Sequence, residues 1–240
     1  MKYWPIAGFF LLNFDLLAQL KSLDVDPITV GTSGTVRFNN YGEAGMRSSA
    51  KIDYSDIRGS CFWNKDWLRA KIIVKSGKAF LVSKAKLNFY TNEIHFIDDK
   101  GKEMVVQNGV KGIIFYLLND TTQAEDFKVL SGFSAKGKEI FVQVLVKGKI
   151  QLLKHTSVDV ITKDTDLMLG RKDRKFESTE TYYVEENGNV LKMKRISKPN
   201  LLALIKEENG DEDWLKEHKS KLKNEKEAIE FITYRNSLSK

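Results

Sequence analysis

The sequence has little of what usually betrays a chemistry. Its 240 residues include one cysteine and three histidines. A lone cysteine excludes an intramolecular disulfide, so a fold of this size must rest on its core. Cys61 stands beside Phe62 and Trp63 and is expected to be a small buried hydrophobe rather than a reactive thiol. His95, His155 and His218 have no His, Cys, Asp or Glu partner at zinc-motif spacing, so structural or surface roles are expected for all three. Gly31-Thr32-Ser33-Gly34 lacks the Lys-Ser/Thr ending of a phosphate loop and reads as a turn. Ser60 follows Gly59, but no second glycine stands at the spacing of a nucleophile elbow. Asp164-Thr165-Asp166 lacks the third acid, the glycine and the closing glutamate of a calcium loop. Nothing here names a catalytic residue, a metal ligand or a cofactor. Carboxylates far apart in sequence could still form a glycosidase pair.

Long apolar runs are also missing. The longest begins the chain, from Trp4 to Phe14, broken only by Asn13. It falls short of the ~20 residues a spanning helix needs, and Asp15 would be costly in hydrocarbon. With Lys2 ahead of it and Leu16-Leu17-Ala18 behind, it reads as an export signal cut before Gln19. Three segments are therefore expected: a signal peptide over 1–18, an antiparallel β domain over 19–196, and a helical segment over 197–240 packed on that domain.

The β reading comes from rhythm. Short apolar or alternating runs recur between turn residues, as in an antiparallel meander. Residues 68–74, 79–82, 86–90, 93–97, 103–106 and 113–117 are such runs, with turns at Ser76-Gly77, Thr91-Asn92 and 98–101. Further strands are expected at 127–130 and 139–146, with turns at Ser131-Gly132 and at Lys147-Gly148-Lys149, and then at 150–153. Residues 163–174 are charged and read as a loop. Asn187-Gly188 between 180–184 and 190–193 is the clearest hairpin signal, since that dipeptide accepts the positive φ angles of a two-residue turn. After Ile196 the period changes. Ser197 and Pro199 open one helix, Trp214, Leu215, His218 and Leu222 mark a second, and Asn224 caps a third. The expected fold is α+β, mainly antiparallel: a curled meander or partly barrel-like sheet with two or three short C-terminal helices.

The formal charge is +7. Its lysines are interleaved with acids and with apolar or glycine positions, as on the wet face of strands, so nucleic acid is not the expected partner. Aromatics crowd two places, Phe62-Trp63 with Trp67, and Tyr182-Tyr183. Adjacent strand residues face opposite sides, so Trp63, Trp67, Tyr182 and Tyr183 are the candidate ligand- or partner-contacting residues.

Residues 57–115 carry a resemblance. Ile57-Arg58-Gly59-Ser60, Trp67, Lys75-Ser76-Gly77-Lys78, 86–90, Asn92-Glu93 and Phe96 succeed one another as in an uncharacterised family of exported Bacteroidetes proteins. Residues 141–149 with 152–154 echo it again, as do the closing 201–202, 227–232 and 234–238. Cys61 stands where that family usually has proline, and Leu87 where it has an aromatic. The resemblance implies export from a Gram-negative cell, to the periplasm or outer-membrane surface, and implies no activity. The expectation is thus an exported, non-enzymatic binding or structural protein of the cell envelope, with an envelope protein or glycan as partner. Two alternatives remain: a hydrolase of envelope polymers using dispersed carboxylates, and an anion-binding module for acidic glycan, lipid headgroup or nucleic acid.

Overall fold

The computed structural model describes residues 25–27, 46–48, 54–106, 109–117, 123–166, 171–205 and 210–238. The segment expected to be an export signal and the Gly31 cluster lie outside them. Among the described residues, thirteen strands precede three helices. The strands are β1 (Val25–Pro27), β2 (Met46–Ser48), β3 (Ile57–Arg58), β4 (Leu68–Val74), β5 (Ala79–Asn88), β6 (Glu93–Ile97), β7 (Glu103–Val106), β8 (Val110–Tyr116), β9 (Ala124–Ala135), β10 (Lys138–Val146), β11 (Ile150–Asp166), β12 (Arg171–Glu186) and β13 (Asn189–Met193). The helices are α1 (Lys198–Ile205), α2 (Asp211–Glu217) and α3 (Glu225–Leu238).

The fold is α+β and mostly antiparallel. One sheet runs β13-β12-β11-β10-β9-β8-β4-β5-β6-β7-β2 and stays open, with β1 beside β5 and β3 beside β12, both parallel. It is two meanders joined at one seam. The first, β4 to β7, leaves a free edge on β4, and β8 returns to pair there, Ile72 opposite Ile113. Period-two alternation explains β4, where Ala70, Ile72 and Val74 are buried and Arg69 is exposed. Gly112 lets the next strand close in, because a Cβ there would lie 2.6 Å from the Phe127 carbonyl oxygen. The sheet curls enough to bring distant turns together. Lys136 Nζ donates to the carbonyls of Tyr90 (3.1 Å) and Val158 (3.0 Å), and Tyr54 packs edge-on against both Tyr90 and Phe176.

Two sequence expectations need correction. Residues 163–166 and 171–174 are not a loop: they extend β11 and β12 into one long ladder in which Lys163 faces Asp173, Asp164 faces Lys172 and Asp166 faces Arg171. At Lys163 and Asp173 charges that looked like a solvated loop stand opposite one another across the ladder, an arrangement that supports it. Residues 167–170 lie outside the described residues. Ser131-Gly132 is not a turn either. It lies within β9, at a bulge where the pairing jumps from Leu130–Ile140 to Ser134–Glu139, and Gly132 takes a φ of +82°. The real turn is Lys136-Gly137, both at positive φ. The Asn187-Gly188 turn stands as expected, at φ +51° and +78°.

Hydrophobic burial divides by sheet face. Residues of β4 to β10, among them Ile72, Leu87, Phe96, Phe115 and Phe127, form one core. At the other end the sheet is covered on both faces. Leu152, Tyr182 and Val184 pack under the helices with Leu201, Trp214 and Phe231, while Leu153 and Tyr183 face the opposite way with Leu130, Ile140 and Val142. None of the three helices is long enough to stand alone in water, so this contact holds them.

Asn236 pins α3 to the β10–β11 turn. Its Oδ1 accepts from the Ile150 N–H at 2.9 Å and its Nδ2 donates to the Ile150 carbonyl at 2.8 Å. The amide lies so close to Gly148 that a Cβ there would fall 2.4 Å from Nδ2. Asn236→Ala is expected to cost about 1–3 kcal/mol, since it strands both backbone groups. A urea midpoint unchanged from the parent protein would refute that role.

Candidate functional site

A groove of about 600 Å³ opens at the helix-covered end. Three stretches of chain wall it: Glu180 and Tyr182 on β12, the exit from β13 at Lys194, Arg195 and Ile196, and the start of α3 at Lys223, Asn224 and Glu225. Period two on β12 sets Glu180 and Tyr182 on one face. Lys154 of β11 pairs directly with Tyr182 and joins them from below.

Helix caps hold both sides. Ser197 Oγ accepts from the Asn200 N–H at 3.4 Å, and the Asn200 amide donates to the Arg195 carbonyl at 3.3 Å, which fixes the wall where β13 ends. Across the groove, Asn224 Oδ1 accepts from the Glu227 N–H at 2.9 Å. The Glu227 carboxylate accepts in turn from the Lys221 N–H (2.9 Å) and the Ser220 hydroxyl (3.0 Å), folding the preceding loop onto the helix start.

The floor is a polar network. Tyr182 Oη lies 3.0 Å from Glu180 Oε2 and 3.1 Å from Glu225 Oε2. Lys154 Nζ lies 2.8 Å from Glu225 and 3.8 Å from Glu180. The tyrosine has one proton and serves one carboxylate at a time. Burial, reinforced by the two carboxylates, raises its phenol well above the ordinary value, so it stays a donor at neutral pH. Glu180 remains about half exposed, at 49%, and keeps acceptor capacity toward the groove.

The four aromatics expected to make contacts are dispersed. Tyr182 alone joins the groove, and through its hydroxyl, for its ring is buried. Tyr183 is 3% exposed and packs on Phe133 at 5.1 Å, because the bulge in β9 covers the second face of the sheet. Trp63 is half-buried against Phe115 and Phe127, at 4.9 and 5.1 Å. Trp67 is half-buried under the Lys86 ammonium, 4.9 Å from its ring, which also lies 5.2 Å from Phe62. The remaining groove residues escaped sequence reasoning. Only Glu180, two places before Tyr182, carried a signal.

The groups set aside on sequence grounds have structural partners. Cys61 is buried and its thiol is pushed up to about 11 by desolvation, so it stays protonated. His95 Nδ1 lies 2.6 Å from Glu103, and burial lowers the pKa of His155, whose Nδ1 meets the Phe141 carbonyl at 3.0 Å. His218 stacks on Trp214 at 4.1 Å. Asp98 accepts from the N–H groups of Lys100 and Lys102 and shapes a turn. Among the described residues no three His, Cys, Asp or Glu side chains converge as a metal site.

No protein-family model, curated protein or solved structure matches the chain. The groove must therefore be read from its own chemistry. A second recess of about 230 Å³, beside Lys75, Asn92 and Phe141, is smaller and bridged by the Lys75–Glu139 ion pair at 3.1 Å. Among the described residues, no helix is long and apolar enough to cross a membrane.

Proposed function

We propose that the protein is an exported, non-enzymatic binding protein of a Gram-negative cell envelope and that the groove between β12, β13 and α3 is its ligand site. Export rests on the signal-like start of the chain and on the resemblance to exported Bacteroidetes proteins. The observation that carries the binding role is the locked floor. Lys154, Glu225, Tyr182 and Glu180 spend their inner polar atoms on one another, at 2.8 to 3.1 Å for the three shortest contacts. Such a floor presents a fixed pattern of donors and acceptors, the property a binding site needs.

The hydrolase reading has one observation in its favour, the two carboxylates that share a hydroxyl. A glycosidase pair, however, flanks a scissile bond from two sides. Here both acids converge on the same phenol and share one ammonium group, Lys154, at 2.8 and 3.8 Å.

The test is fractionation of the tagged full chain in a Gram-negative host, followed by capture of envelope material. Recovery in the envelope fraction, shortened near residue 18, is the expected result. Capture should be lost in the Lys194→Glu, Arg195→Glu variant at unchanged circular dichroism. A full-length cytoplasmic chain would sink the localisation. Release of reducing ends from envelope polysaccharide by the parent protein, abolished by Glu180→Gln, would replace binding with hydrolysis.

A further inference from the structure

The charges of the groove are unevenly arranged. Lys194, Arg195 and Lys223 stand exposed on its rim, and none of them makes an ion pair with another described residue. The two carboxylates sit lower, beside Tyr182 and Lys154. Counting Lys154, four cationic and two anionic side chains surround the recess. A ligand that fits must bring negative charge to the rim and hydrogen-bond donors to the floor.

We propose that this ligand is an acidic saccharide, a sugar chain bearing carboxylates, an inference that rests on reading the groove as a binding site. The rim guanidinium and ammonium groups take the sugar carboxylate in charge-assisted hydrogen bonds. The outward oxygens of Glu180 and Glu225 accept from sugar hydroxyls. The volume of about 600 Å³ lies within the range of small-molecule sites. An anionic lipid fits poorly, because Ile196 is the one aliphatic side chain in the lining and an acyl chain has no apolar floor to enter. A nucleic acid strand fits poorly too. It would press its phosphates toward two carboxylates, and the Tyr182 ring is buried and offers no stacking face.

The experiment is calorimetric titration of the purified chain with three probes: a trisaccharide of uronic acid, the same trisaccharide with its carboxyl groups reduced to alcohols, and inorganic phosphate. Backbone amide shifts locate each binding event. The uronate is expected to bind at the groove and to weaken as salt rises. The reduced sugar should bind about tenfold more weakly or worse, as should the uronate to an Arg195→Gln, Lys223→Gln variant. Glu180→Gln should weaken both sugars. All three substituted side chains are exposed, so the urea midpoint should not move. Equal binding of acidic and reduced sugar at the groove would overturn the ligand class and leave the site standing. Sugar binding indifferent to all these variants would overturn the site itself. Phosphate binding as tightly as the uronate would reduce the groove to a simple anion site and refute the saccharide, as would no binding of the uronate.

Discussion

Arg235→Ala should destabilise the protein by about 3–5 kcal/mol, because it takes a buried guanidinium away from the buried carboxylate it bonds. Arg235 Nη1 and Asp211 Oδ2 lie 2.5 Å apart, with side chains only 3% and 1% exposed. The pair ties the start of α2 to the end of α3 beneath Trp214 and Tyr234, two rings stacked at 5.2 Å. Taking two charges out of water is expensive, and a buried pair often contributes little beyond its own desolvation. The double variant Asp211→Leu, Arg235→Met is therefore expected to lie far closer to the parent than either single change. Urea unfolding followed by tryptophan fluorescence measures all of them. A single variant within about 1 kcal/mol of the parent would mean that water reaches the pair.

Phe127→Ala should cost a similar amount, about 3–5 kcal/mol, in a different part of the molecule. The ring is 1% exposed and sits among Trp63 at 5.1 Å, Phe115 at 5.9 Å and Phe89 at 6.3 Å. Its strand joins at the β8–β9 ladder, over Gly112, where the backbones leave no space for a side chain on the neighbour. Collapse into the cavity is opposed by that rigid floor, so the upper part of the range is expected. Phe127→Leu should recover most of the loss. The emission of Trp63, taken as the difference between chains with and without a Trp63→Phe change, reports the site, and an unshifted Trp63 emission in the alanine variant would show that the ring does not pack as described.

The β-rich class and the C-terminal helices could be read from the chain, because hydrophobic period and turn chemistry are local. Asn187-Gly188, Ser197 and Asn224 each declare their role within four residues. The long β11–β12 hairpin could not be read that way. Its outer half carries Lys, Asp and Arg in place of apolar alternation, and those charges make sense only once Lys163 is known to face Asp173. The same holds for β8, whose place beside β4 depends on a choice between two open edges. The groove was harder still. Lys154, Tyr182 and Glu225 are brought together by register and helix docking, and no spacing in the chain announces that meeting. The aromatic search failed for a related reason. Alternation on β12 correctly divides Tyr182 from Tyr183, but both faces of the sheet are covered there, so neither ring is left outside.

The Asn236 clasp on Ile150 gives the molecule an order of assembly. Residues 86 apart in sequence meet there. A chain made or threaded from its first residue can form the β10–β11 and β11–β12 hairpins while its tail is still to come. The third wall of the groove arrives only with that tail. A chain lacking the residues from Lys223 onward would retain every described strand and lose the third wall of the recess, so binding competence would report on the docking of α3.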